Sequence, residues 1–259
     1  MARRPFVAGN WKMNLNAAAG RELINGFKSA VTDAVDVAVF PSYLSIAGVL
    51  ESGVAVGAQD CFWMPGGAFT SRVSVQQLVD AGVKYCLIGH SETRGKFGKL
   101  EVPKSTLPFF AETDETINLK IKALVEGGVA PVLCVGETLE ERKHGETDAA
   151  IEVQVKCGLV GLYAQELRQL VVAYEPVWAI GTGETCDADE AQRVCKHVRA
   201  VLTEMFGAEF ADGVRVLYGG SVKAANAAEL FGQPDIDGGL VGGASLVAEE
   251  FAAIIAAAG

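Results

Sequence analysis

The chain is poor in the features that would send it to nucleic acid, to a membrane or to an oxidising compartment. Its 22 Lys and Arg stand against 32 Asp and Glu, a formal net charge of -10, with no block of five like charges. A nucleic-acid binder needs a basic face, and none is encoded here. No apolar run reaches membrane-spanning length, and the arginines of "MARRPFVAGNWK" are not followed by the apolar core of a leader. Cys61, Cys86, Cys134, Cys157, Cys186 and Cys195 are scattered without a C-x-x-C pair. They read as reduced thiols rather than a disulfide frame or a zinc site, which predicts a soluble, cytoplasmic protein. No Pro/Ser-rich linker or low-complexity stretch divides residues 1–259, so one domain is expected.

What is present is core-forming material. Half of the 259 residues are hydrophobic, enough for one large α/β domain. Short apolar runs recur: "FVAGN" (6–10), "VDVAVF" (35–40), "VAVGAQ" (54–59), "YCLIG" (85–89), "VAPVLCVG" (129–136), "LVVAYE" (170–175), "VRVLYGG" (214–220) and "GGLVGG" (238–243). Segments of helical spacing separate them. Val75, Leu78, Val79 and Val83 follow the 3.6-residue period in "SVQQLVDAGVK". Ala191, Val194, Val198, Val201, Leu202 and Met205 do so behind an Asp187 cap. Eight strand-and-helix units in about 250 residues close naturally into a parallel (β/α)8 barrel. A doubly wound open sheet is the alternative, but "FVAGNWK" lacks the Gly-x-Gly turn of a dinucleotide site.

Chemistry in such a barrel sits at the carboxyl ends of the strands. There the first strand delivers Asn10 and Lys12, the fourth His90, Ser91 and Glu92, and the sixth Glu175, an acid closing an apolar run. Each alone has an ordinary structural reading, such as a surface lysine or a hydrogen-bonded core histidine. Their coincidence at one end of different strands does not. Glycine turns "GGS" and "GG" follow the last two strands and precede helical segments, so backbone N–H groups can cradle an anion there. "GHSETRGKF" misses the spacing of a nucleotide-binding P-loop. A carboxylate, an imidazole and a lysine beside a phosphate cradle, with neither a metal set nor a cofactor motif, suit proton abstraction next to a carbonyl.

In their order and coverage, "GNWKMN", "GAQD", "GAFT", "GHSETR", "LCVGET", "AYEPVWAIGTG", "YGGSV" and "LVGGASL" closely resemble the triosephosphate isomerase family over essentially the whole chain. The resemblance implies a single (β/α)8 barrel that interconverts dihydroxyacetone phosphate and D-glyceraldehyde 3-phosphate through an enediolate, without cofactor or metal. It implies Glu175 as base, His90 as neutral electrophile and proton shuttle, Lys12 as charge partner, Asn10 as donor, and Glu92 beside them. Gly181, Ser221, Gly242 and Gly243 would hold the phosphate. Ile180 and Leu240 would clamp the base when a lid closes, with Pro176 to Trp178 as first hinge, Ile180 to Gly183 as tip, and Tyr174, Glu137 and Tyr218 as latches. It also implies a homodimer in which Thr70 reaches the neighbouring active site.

Three departures from the family pattern stand out. "KLEVPKSTLPFFA" (99–111) is inserted between Gly98 and Glu112; its two prolines exclude a regular helix, and Leu100, Val102, Leu107, Phe109 and Phe110 are expected to leave water. Arg72 and Thr93 replace a glutamate and an arginine that pair across the family's dimer. Glu184-Thr185-Cys186 replaces the second hinge, bringing a negative charge to the mouth. Two other readings remain open from the residues alone: a Schiff-base sugar-phosphate aldolase using Lys12, and a non-catalytic phosphate-binding barrel.

Overall fold

In the computed structural model, which describes residues 3–99, 102–182, 184 and 186–259, the eight apolar runs become eight strands: β1 (Phe6–Asn10), β2 (Asp36–Phe40), β3 (Ala55–Ala58), β4 (Tyr85–Ile88), β5 (Ala130–Val135), β6 (Val171–Tyr174), β7 (Arg215–Tyr218) and β8 (Gly238–Val241). They pair in parallel, in chain order, and β8 returns to β1 with Phe6 opposite Gly238, closing the barrel. Each run is nearly continuous in apolar residues because its two faces are both covered. Phe6, Ala8, Phe40, Leu87, Val132, Ala173, Leu217 and Leu240 fill the lumen. The alternate residues Val7, Val39, Ile88, Leu133, Val172 and Val216 face the helices in a second, larger core. Lumen and shell are thus the two sides of the same period-2 pattern.

The helices follow their apolar stripes. In Ala188–Phe206, the buried residues Ala191, Val194, Val198, Val201 and Leu202 form one face, and Met205 packs half-buried at its end. Burying each Val or Leu side chain contributes roughly 1.5–3 kcal/mol. Asp187 caps this helix by accepting the Glu190 N–H at 2.8 Å, with Asp189 and Glu190 in the first turn.

The helix expected through Val83 is shorter. It spans Val75–Asp80, capped by Ser74 and Gln77. Gly82, at φ 82°, ends it and turns the chain toward β4. Val83 is buried in that lead-in rather than on the helix, and Val79 is 38% exposed. A helix of one and a half turns covers only Val75 and Leu78.

The inserted segment is not structureless. Lys104–Phe110 forms a 3-10 helix with Pro108 inside it. Side chains three residues apart lie above one another in such a helix, so Leu107 and Phe110 both turn inward and are half-buried. Phe109 faces away and is 87% exposed, contrary to the expectation that it leaves water. Val102 is half-buried, and Leu100 lies outside the described residues.

Candidate active site

The carboxyl ends of the strands surround a cavity of about 360 Å³. Asn10, Lys12, His90, Glu175, Ile180, Gly181, Ser221, Leu240, Gly242 and Gly243 all line it. Glu92 stands just outside, holding two of these residues from behind.

Glu175 is 2% exposed and follows directly on β6. Two glycines make room for it. A methyl group at Gly136 would collide with the Glu175 carbonyl oxygen, and one at Gly219 would lie 2.9 Å from its Cγ. The carboxylate accepts the Ser91 N–H at 2.9 Å through Oε2, and its Oε1 lies 2.9 Å from His90 Nε2. Burial raises its affinity for a proton, but His90, the Ser91 N–H and Lys12 outweigh burial and hold it below the ordinary carboxylate value.

His90 is gripped from both sides. Burial pushes its proton affinity down, while the carboxylates of Glu175 and then Glu92 pull it up, for a net rise. The Glu92 N–H is nevertheless aimed at Nδ1, at 3.2 Å. An imidazolium would bring two hydrogens together there, so the neutral tautomer carrying its proton on Nε2 fits the geometry. That proton points at Glu175.

Lys12 occupies a left-handed backbone conformation, φ 51°, which a side-chain-bearing residue rarely adopts. Its own N–H is held by Asn10 Oδ1 at 3.0 Å, and Gln59 Nε2 donates to the Lys12 carbonyl at 2.7 Å and to that of Phe40 at 2.8 Å. The strained turn aims the ammonium into the cavity, where Nζ pairs with Glu92 Oε1 at 2.6 Å. The Lys12 side chain also passes beside Gly242.

Across the cavity, a 3-10 turn begins at Gly243, and the helix Ala224–Phe231 follows the "GGS" turn. Among the described residues, no protein acceptor takes the backbone N–H of Ser221, Gly242 or Gly243. Unpaired backbone donors open to a cavity, here in a glycine turn and at the start of a 3-10 turn, suit an anion. Lys223 adds a cation to the same wall.

Over the cavity lies the segment after β6. Val177–Ala179 is a buried 3-10 turn, and the tip carries Gly181 at φ 70°. Trp178 Nε1 donates to Glu137 Oε1 at 2.7 Å, and the Tyr174 hydroxyl donates to it at 3.2 Å. The Arg142 guanidinium stacks 4.1 Å over the Trp178 ring. Glu137 is fully buried, and that burial holds its carboxyl above the ordinary value. The Tyr218 hydroxyl lies beside Cys186, whose thiol is pushed up by burial to about 12. Gly183 and Thr185, expected at the tip and second hinge, lie outside the described residues.

All the residues expected from the strand ends therefore converge. Missed were Gln59, visible only as part of "GAQD", and the clearance glycines Gly136 and Gly219. Lys223 was missed too, although a base directly after "YGGSV" was its signal.

A (β/α)8 barrel that sets a buried carboxylate against a neutral imidazole, across from unpaired N–H donors, belongs to the class of barrel enzymes that move protons within small phosphorylated carbonyl compounds. The family model described as "Triosephosphate isomerase" matches residues 5–258. Proteins named triosephosphate isomerase from Carboxydothermus hydrogenoformans, Moorella thermoacetica and Syntrophotalea carbinolica are 51%, 48% and 46% identical to the chain, each over 98% of both sequences. The chain belongs to the triosephosphate isomerase family. It is an isomerase that interconverts triose phosphates.

Proposed function

We propose that Glu175 moves the proton between C1 and C2 of dihydroxyacetone phosphate and D-glyceraldehyde 3-phosphate. His90 donates its Nε2 proton to the carbonyl oxygen and takes a proton back from the neighbouring hydroxyl, so that each turnover ends with the neutral imidazole. The observation that carries this reading is the 2.9 Å approach of His90 Nε2 to Glu175 Oε1 inside a cavity whose far wall presents unpaired N–H groups. Lys12 offsets the charge of enediolate and phosphate, Asn10 supplies a further donor, and Glu92 fixes both Lys12 and the His90 tautomer. Ser221, Gly181, Gly242 and Gly243 hold the phosphate. Ile180 and Leu240 close on the base, and the lid keeps water from an enediolate that would otherwise lose phosphate.

A Schiff-base route through Lys12 is less well supported, because its ammonium is engaged by Glu92 at 2.6 Å, a pairing that a nucleophilic amine has to give up. A coupled isomerisation assay separates the readings. Glu175→Asp should lower kcat by roughly 10²-fold or more, in the range of a displaced general base; an undiminished rate rejects the assignment.

The working form we propose is a cytoplasmic homodimer. Six free thiols fit a reducing compartment. Met13 on the loop after β1, Leu44 in the first turn of the helix Tyr43–Val49 after β2, and Met64 and Phe69 on the loop after β3 are exposed apolar residues, and Thr70 also stands exposed there. Such a surface suits a second copy, with Thr70 entering the neighbour's site. The altered pair leaves no stranded charge: Arg72 lies over the Phe62 ring at 5.6 Å, and the Thr93 hydroxyl donates to Glu112 at 2.6 Å. Light scattering at micromolar concentration should give twice the chain mass, and a fully active monomer would defeat the proposal.

A further inference from the structure

The inserted segment has no part in the chemistry above, yet its described residues from 102 to 111 are tied into the mouth of the barrel. Behind it, the Glu112 N–H bonds the Thr93 carbonyl at 3.1 Å. The Phe110 ring meets Phe97 edge to face, with centroids 5.5 Å apart. Phe97 is followed by Gly98, and Gly98 lies directly under the lid. A methyl group there would collide with the Ile180 carbonyl oxygen, lie 2.6 Å from the Val177 carbonyl oxygen and 3.0 Å from Thr182 Cγ2. An unbroken line of packed atoms therefore runs from Phe110 through Phe97 and Gly98 to the hinge and tip. A second cavity, of about 370 Å³, borders this line; it shares Lys12, Ile180 and Gly181 with the catalytic cavity and is walled by Val102 and Phe110.

We propose that the inserted segment is a buttress for the lid: Phe110, through Phe97, holds Gly98 against the Val177 and Ile180 carbonyls and so sets how fully the tip covers the reacting enediolate. Phe110 is a positioning residue, since it touches neither substrate nor base. The inference rests on the lid reading above. Without the aromatic contact the arrangement in which Gly98 meets both carbonyls is less populated, by roughly two- to tenfold for the loss of one such pair, and the cover over the enediolate changes with it. The sensitive readout is inorganic phosphate released per isomerisation turnover, because an uncovered enediolate expels its phosphate.

Phe110→Ala is expected to shift that ratio two- to tenfold and to change kcat more than KM, while Phe110→Tyr keeps the parent values. Gly98→Ala, whose methyl displaces the lid directly, should act in the same direction as Phe110→Ala, and Phe110→Leu carries the test if Phe110→Ala fails to fold by circular dichroism. Ile180→Ala is the control for the lid itself. An altered phosphate ratio in Ile180→Ala with parent values in a folded Phe110→Ala overturns the buttress alone, whatever Gly98→Ala does. Parent values in all three overturn the lid reading, and the buttress with it.

Discussion

Two carboxylates withdrawn from water mark the opposite ends of the barrel, and they are held in opposite ways. At the amino end Asp237 takes Arg3 Nε at 2.6 Å, Arg199 Nη2 at 2.9 Å and the Val216 N–H at 2.8 Å. Arg199 is itself committed to Asp235 and to the carbonyls of Ala211 and Val214. Every charge there has a permanent opposite. At the carboxyl end the polar contacts of the Glu175 carboxylate among the described residues are one N–H and a neutral imidazole, and the nearby ammonium belongs to Lys12, which is bound to Glu92. The first arrangement anchors structure and the second leaves the proposed base free to exchange its partner for a substrate.

The comparison is broken most directly by neutralising each carboxylate. Glu175→Gln is expected to cut kcat by about 10³-fold while leaving stability within about 1 kcal/mol. Asp237→Asn should do the reverse, costing about 3 kcal/mol in urea unfolding because two guanidinium groups lose their counter-charge, with kcat unchanged. A large kcat loss in Asp237→Asn would mean that the two ends are not separate.

A pH experiment sharpens the contrast. The folded-state pKa of Glu175 is depressed, so the stability it contributes is present above the unfolded value and is lost only as pH falls through the folded value. Glu137 is raised instead, with burial as the largest cause, so stability declines as pH rises from the ordinary carboxylate value through the raised one. Melting temperature against pH should show that decline less steeply in Glu137→Gln than in the parent, the remainder coming from Asp60, which burial also raises.

The smallest effect belongs to the rim, where Glu184 is exposed. Glu184→Lys should lower KM by about twofold at low salt, an advantage that fades once the screening length falls below about 8 Å.

The eight strands were legible because a parallel sheet covered on both faces must be written as apolar runs, and the structure trims those runs by only a residue or two at their ends. The convergence of the candidate catalytic side chains was legible because they stand where such runs stop. What the chain does not display is backbone conformation. Nothing in "GNWKMN" announces that Lys12 is left-handed, that Gln59 props its carbonyl, or that Ser91 serves through its N–H rather than its hydroxyl. The same blindness explains Phe109. An apolar residue reads alike in any helix, but a threefold turn sorts Leu107 and Phe110 to one side and leaves Phe109 on the other.

Closure of the sheet has a consequence for how the molecule fails. An open sheet always offers two unpaired edges, whereas here every strand is bonded on both sides and none is available to a neighbouring molecule. Displacing any one strand exposes two sticky edges at once. Loss of the protein on storage should therefore be governed by the rate of the first opening rather than by the equilibrium between folded and unfolded chains.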